Sequence, residues 1–221
     1  MSPPTTRSRP ASRSGGSPRP APPRAPRRRP ARRRRLGAIV AALAVGGGVA
    51  AATRLVPLGD AVREVTLPLR HDDIIRQQAE EKDLDPALVA AIIYEESRFQ
   101  PRTSPAGAEG LMQITPETAS FIAENSGATT FVLDDLGNPQ INISYGSFYL
   151  RYLIDRYDGD ERLAIAAYNA GGTNVDAWLA EAASDELDLE DIPFTETREY
   201  VADVEERRKE YEKNYAADLG L

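Results

Sequence analysis

From Asp72 to the end of the chain, apolar residues return every three or four positions and nowhere alternate convincingly with period two. A sheet needs one face repeated at every second residue, so this spacing leaves helices as the only substantial building blocks. "DDIIRQQAEEK" forms a first short helix. A second begins at Asp85, a good N-cap, followed by Pro86 at the first helical position. "TPETASFIAEN" opens with Thr115 as cap, and "NPQINISYGSFYLRYLIDRY" places Ile141, Tyr145, Phe148 and Tyr152 on one stripe. "DERLAIAAYNAG" carries Leu163, Ala166 and Ala167 at helical spacing and stops at Gly171 and Gly172. "NVDAWLAEA" is a short helix around Trp178. The tail repeats Tyr200, Val204 and Tyr211 before fraying into charge, and "FVLDDL" is too short to count as a strand. The expected class is all-α, with helices joined by glycine-rich and proline-rich loops.

The N-terminal quarter obeys a different chemistry. Residues 1–35 hold 12 Arg, 9 Pro and no acidic residue, which leaves 15 basic against 34 acidic side chains in the remainder, a formal net of −19. A segment of that composition cannot bury apolar surface and is expected to be disordered. "RRPARRRR" directly precedes "LGAIVAALAVGGGVAAA", 17 uncharged residues from Leu36 to Ala52. Arginines before an apolar run of that length fit a membrane-spanning helix with a cytoplasmic tail. "AAA" at 50–52 leaves a cleaved signal sequence as the alternative. The expected division is a disordered tail over 1–35, an anchor over 36–53, a juxtamembrane linker over 54–70, and one domain over 71–221, outside the cytoplasm in either case. A domain this acidic argues against a nucleic-acid partner.

With no cysteine there is no disulfide or thiol chemistry, and the single histidine, His71, cannot build a zinc cluster or a complete Ser/His/Asp triad. No glycine-rich phosphate loop is present. No cofactor and no metal are expected, so any catalysis falls to carboxylates, hydroxyls and amides.

One carboxylate is placed for such work. In the Asp85 helix, "DPALVAAIIYEES", Leu88, Val89, Ile92 and Ile93 gather on one face, Glu96 falls near the middle of that face and Glu95 at its edge. Either the helix ends at Tyr94 and both glutamates are solvated, or Glu96 is directed inward and kept protonated as a general acid. Further along, "GLMQ" presents Met112 and Gln113 just before a capped helix, and "AAYNAGG" puts Tyr168 and Asn169 at a helix end.

Taken together, "ESRF", "SPAGAEGLMQ", "NPQINISYGSFYL", "AAYNAG" and "IPFTETREYV" stand in the order and rough spacing of a known family. Residues 72 to 205 resemble the SLT-type, lysozyme-like domain of bacterial lytic transglycosylases. The resemblance implies that Glu96 is the catalytic acid and that Ser97 supports it by hydrogen bonding. It implies that Ser104, Met112 and Gln113 line a sugar groove, that Tyr168 and Asn169 face the catalytic carboxyl, and that Glu196 and Tyr200 close the site. The loop between "ESRF" and "SPAG" is a residue shorter than is usual in the family. Glu95, at the flank, is expected to face solvent.

The implied partner is peptidoglycan, cut between N-acetylmuramic acid and N-acetylglucosamine without water, leaving a 1,6-anhydro sugar. A hydrolytic muramidase of the same fold is the nearest rival, and it would need a second carboxylate, for which Glu109 and Glu196 are the candidates. A non-catalytic glycan-binding or scaffold protein is the rival from another class.

Overall fold

The computed structural model describes residues 58–126 and 132–221, all within one compact unit, Val56–Leu221. Among the described residues there are eight helices: α1 Leu58–Thr66, α2 Asp72–Lys82, α3 Pro86–Ser97, α4 Pro116–Ser126, α5 Pro139–Arg156, α6 Glu161–Ala170, α7 Gly172–Ala182 and α8 Thr195–Leu219. The expected tail (1–35) and apolar run (36–52) lie outside the described residues. Among those described, no helix is long and apolar enough to cross a membrane.

The two caps read from sequence, Asp85 and Thr115, are in place, and Asn138 and Asp160 cap two further helices in the same way. Asp85 accepts from Ala87 N at 2.7 Å, Thr115 Oγ1 from Thr118 N at 3.2 Å, Asn138 from Gln140 N at 2.9 Å, and Asp160 from Leu163 N at 3.0 Å. Each satisfies a first-turn N–H that has no partner inside its helix.

Packing corrects the one-faced picture of the Asp85 helix. Every residue of α3 from Ala87 to Tyr94 is buried, so α3 is the central helix of the domain, enclosed on all sides and packed most closely on α8. Only its last turn emerges, and that turn carries Glu95 and Glu96. In α5 the deepest face is Asn142, Ile143, Gly146, Leu150 and Leu153, one position away from the expected stripe. Tyr145, Phe148 and Tyr152 of that stripe are only partly buried.

Three further differences have physical causes. The hairpin from Arg102 to Gly110 forms a two-stranded antiparallel sheet, β1 Arg102–Thr103 and β2 Glu109–Gly110, with Arg102 opposite Gly110 and Thr103 opposite Glu109. Two residues per strand are too few to leave a periodic signal. The C-terminal helix does not fray after Tyr211. It continues to Leu219, with a kink at Tyr215 (φ −135°, ψ 23°), because Tyr211 and Leu219 are buried and Arg208 bridges Asp85 at 2.5 Å, Glu161 at 2.6 Å and Glu212 at 3.1 Å.

Finally, the expected linker over 54–70 contains α1, followed by a segment docked on the domain. The carbonyls of Thr66, Leu67 and Pro68 accept the hydroxyls of Tyr94, Tyr215 and Tyr211 at 2.9, 2.7 and 2.7 Å, and the Leu67 side chain is buried.

Candidate active site

The C-terminal turn of α3 places Glu96 against α8, α6 and the β1–β2 hairpin. The hydroxyl of Tyr200, on α8, donates to Glu96 Oε1 at 2.7 Å. From the hairpin, Arg102 Nη2 donates to the backbone carbonyl of Glu96 at 2.8 Å. Burial pushes the Glu96 carboxyl up to about 7, opposed by the Tyr200 hydrogen bond and the Arg102 charge and assisted slightly by Glu95. The carboxyl therefore keeps a large protonated fraction near neutral pH. Burial, with the Glu96 charge second, holds the phenols of Tyr168 and Tyr200 well above their ordinary value, so both remain neutral hydroxyl donors.

A ring of hydrogen bonds holds the floor. The Tyr168 hydroxyl donates to Met112 O at 3.0 Å. Met112 N donates to Asn142 Oδ1 at 2.8 Å, and Asn142 Nδ2 donates to Glu109 O at 2.9 Å and Leu136 O at 3.1 Å. Gln113 sits at φ 47°, and its amide Nε2 donates to Arg102 O at 2.8 Å and Gly110 O at 2.9 Å. Arg102 closes the ring by returning to Glu96. Close approach here requires glycine twice. A methyl at Gly110, whose φ is +80°, would overlap Asn142 and lie 2.6 Å from Leu136 O, and one at Gly146 would overlap Met112 Sδ.

The residues implied by the family resemblance are distributed unevenly around this site. Glu96, Tyr168 and Tyr200 come together. Ser97 is buried with its hydroxyl turned back on its own helix, donating to Ile93 O at 3.1 Å and not to Glu96. Ser104 shapes the hairpin turn, its Oγ accepting from Ala108 N at 3.0 Å. The Met112 side chain is fully buried against Gly146, and it is the Met112 carbonyl that meets Tyr168. Asn169 is exposed and accepts from Thr197 Oγ1 at 2.8 Å. Glu196 is exposed one turn before Tyr200, while the neighbouring Thr197 faces inward. Glu109 is engaged by the Thr103 hydroxyl at 2.9 Å.

Glu95 is a correction. It does not face open solvent: its side chain is 15% exposed and pairs with Arg207 Nε at 3.2 Å. Arg102, Asn142, Thr197 and Arg207 were not picked out by sequence reading. Asn142 alone left a signal, a polar residue inside the apolar pattern of "NPQINI".

Next to Tyr168 lies a run of half-exposed rings. Tyr168 and Tyr149 have centroids 5.6 Å apart, Tyr149 and Tyr152 stack at 6.2 Å, and Tyr152 and Phe121 tilt together at 4.8 Å. Phe121, Tyr149 and Tyr152 line a cavity of about 290 Å³ with Thr118 and Arg156 at its edges. Flat apolar faces bordered by hydrogen-bonding groups suit the C–H faces and hydroxyl rims of sugar rings. Among the described residues no group of His, Cys, Asp and Glu is arranged to hold a metal ion.

Comparison with known proteins shows the family of the fold that carries this site. The transglycosylase SLT domain profile matches residues 73–189. The soluble lytic murein transglycosylase of Salmonella typhimurium is 36% identical over 152 residues, covering 64% of this chain and 23% of that protein. The membrane-bound lytic murein transglycosylase F of Pasteurella multocida is 41% identical over 96 residues, 40% of this chain and 18% of that protein. The crystal structure of an inactive glutamate-to-glutamine mutant of lytic transglycosylase Slt from Pseudomonas aeruginosa superposes with a TM-score of 0.64 at 31% identity, covering 70% of this chain and 26% of that one. The chain thus spans about a quarter of the length of the relatives it matches. With the profile covering more than half of its length, the chain belongs to the transglycosylase SLT domain family.

Proposed function

We propose that the chain is a lytic transglycosylase that cleaves the bond between N-acetylmuramic acid and N-acetylglucosamine in peptidoglycan, held at the outer face of the cytoplasmic membrane by residues 36–53. One observation carries the reading: a carboxyl, Glu96, pushed up to about 7 by burial and held by the neutral hydroxyl of Tyr200. As an acid, Glu96 protonates the glycosidic oxygen as the bond breaks. As the resulting carboxylate, it takes the proton from the muramyl 6-hydroxyl while that oxygen bonds to the anomeric carbon. The proton is returned, no water is consumed, and the product ends in 1,6-anhydro-N-acetylmuramic acid.

The surroundings of Glu96 support a neutral partner over a second carboxylate. Among the described residues the carboxylate whose charge bears on Glu96 is Glu95, which is committed to Arg207. Glu109 is tied to Thr103, and Glu196 is exposed. Hydroxyls such as Tyr168 and Tyr200 orient substrate and stabilise an oxocarbenium-like state, but they do not activate water as a base. The 6-hydroxyl, attached to the reacting sugar, has the effective concentration of an intramolecular nucleophile. The aromatic cavity beside Tyr168 offers faces for the glycan. The names of the relatives support both the chemistry and, for one of them, a membrane location.

The test is a peptidoglycan digest in isotopically labelled water, read by mass spectrometry. The expected muropeptides are one water lighter than hydrolysed ones and carry no label. Label at the anomeric carbon of the main product would replace this reading with a muramidase.

A further inference from the structure

The end of α3 carries Tyr94, Glu95 and Glu96 in succession, and α8 engages the two glutamates from positions seven residues apart: Tyr200 binds Glu96 and Arg207 binds Glu95. Seven residues is close to two helical turns, so both groups come from one face of α8. The Arg207 guanidinium lies 4.3 Å from the centroid of the Tyr94 ring and also holds Glu210 on its own helix. Tyr94 is itself fixed from behind, its hydroxyl on Thr66 O and its ring edge-on to Tyr211 at 6.4 Å. Side-chain exposures of 24% for Arg207 and 15% for Glu95 shelter this pair, so its charges are felt more strongly than those of an open surface ion pair.

We propose that Arg207 is a positioning residue for the catalytic acid: seated on Tyr94, it holds and partly neutralises Glu95, and so limits how far that adjoining carboxylate raises the proton affinity of Glu96. The proposal rests on the reading of Glu96 as the acid. The groups that face Glu96 are Tyr200 from α8, Tyr168 from α6, Arg102 from β1 and Glu95 on its own helix, with Arg207 and Glu210 behind Glu95. Of these, Glu95 is the anion and Arg207 its counter-charge. Removing Arg207 leaves an uncompensated carboxylate one residue from the acid, whereas removing Glu95 leaves Arg207 paired with Glu210, and the two removals act with opposite sign.

The experiment is a double-mutant cycle on the full chain, read by the pH dependence of kcat/KM and, independently of turnover, by 13C NMR titration of the Glu96 carboxyl. Arg207→Gln is expected to move the alkaline limb and the Glu96 titration up by about half a unit to one unit, because the freed Glu95 carboxylate disfavours ionisation of its neighbour. Glu95→Gln is expected to move both down by a smaller amount, since it removes the carboxylate that raises Glu96 while Arg207 keeps Glu210 as a counter-charge. The double variant returns to the wild-type position, and Arg207→Lys stays near it.

A merely structural Arg207 would depress activity at every pH and leave the limb in place, and Glu95→Gln would not repair it; either result overturns the proposal. If Arg207→Gln alone does not fold, Glu95→Gln compared with the double variant still decides, because equal limbs in those two proteins would also overturn it. The NMR titration separates this from the function itself: an intact titration cycle with no lytic product would sink the transglycosylase reading alone.

Discussion

The Tyr200 hydroxyl and the Glu96 carboxylate meet at 2.7 Å across the contact between α8 and α3, 104 residues apart in the chain. Tyr200 donates to the ionised form of the acid and steadies it after the proton has left, while burial favours the protonated form before. One pair thus serves both halves of the proposed reaction.

Removing the acid tests it first. Glu96→Gln should lower turnover on peptidoglycan by ~10²–10⁴-fold or more, the usual scale of lost general acid catalysis. Tyr200→Phe should lower kcat by roughly 10–100-fold with KM little moved, matching a lost hydrogen bond to a charged group. Because that bond favours ionisation, its loss should also shift the alkaline limb, expected near pH 7, upward. Steady-state rates across pH check both, and a limb that moves down in Tyr200→Phe would contradict the geometry.

The same acid weakens the fold as pH rises. Glu96 is raised to about 7 in the folded protein and returns to the ordinary carboxyl range when unfolded. Between those values the folded state binds the extra proton, so stability is highest below the unfolded pKa, declines as pH rises through the folded one, and stays low above it. Glu96→Gln should therefore be more stable than wild type at pH 8, by about 1–3 kcal/mol, with the difference shrinking toward pH 4. Urea denaturation at the two pH values measures it.

Asn142 should be costly to lose. Asn142→Ala leaves Met112 N and Leu136 O without their buried partner and takes one donor from Glu109 O, which keeps Ile114 N, and a loss of about 2–5 kcal/mol is expected. Gly110→Ala should cost at least about 2 kcal/mol through its positive φ and its overlap with the same side chain. The two effects should be far from additive, since both displace one group. Denaturant midpoints of the single and double variants provide the check.

The family match begins at residue 73, but the folded unit begins earlier. A chain shortened to start at Asp72 loses the carbonyls that accept from Tyr94, Tyr211 and Tyr215, and should be destabilised by ~3 kcal/mol, about one per hydrogen bond, before the buried Leu67 is counted. Differential scanning calorimetry of the two lengths compares them.

Topology follows from the arginines that precede the 36–52 apolar run. Protease added to intact spheroplasts should remove the domain, and a protected domain would reverse the orientation. Release of a soluble mature form without protease would identify the run as a cleaved signal.

The inward placement of Glu96 was legible because its signal is local: an aspartate cap, an apolar run, and a glutamate where solvent should not be. The fate of Glu95 was not legible, since its partner lies 112 residues away. The all-round burial of α3 was hidden because Ala87, Ala90 and Ala91 read as neutral in a hydrophobic pattern, yet they are what allow close neighbours on every side. Ser97 and Met112 sit beside the candidate site in sequence, but helix phase turns the Ser97 hydroxyl toward Ile93, and the turn after β2 sends the Met112 thioether into the core against Gly146. Two of the bonds of Asn142 reach backbone groups 30 and 33 residues away, which carry no residue preference. The ties on residues 66–68 are invisible for the same reason.

Those ties also have a mechanical meaning. Three successive carbonyls, those of Thr66, Leu67 and Pro68, are gripped by tyrosines from the two helices that carry Glu96 and Tyr200. A pull on the chain ahead of residue 66 would load all three grips side by side instead of peeling them one after another.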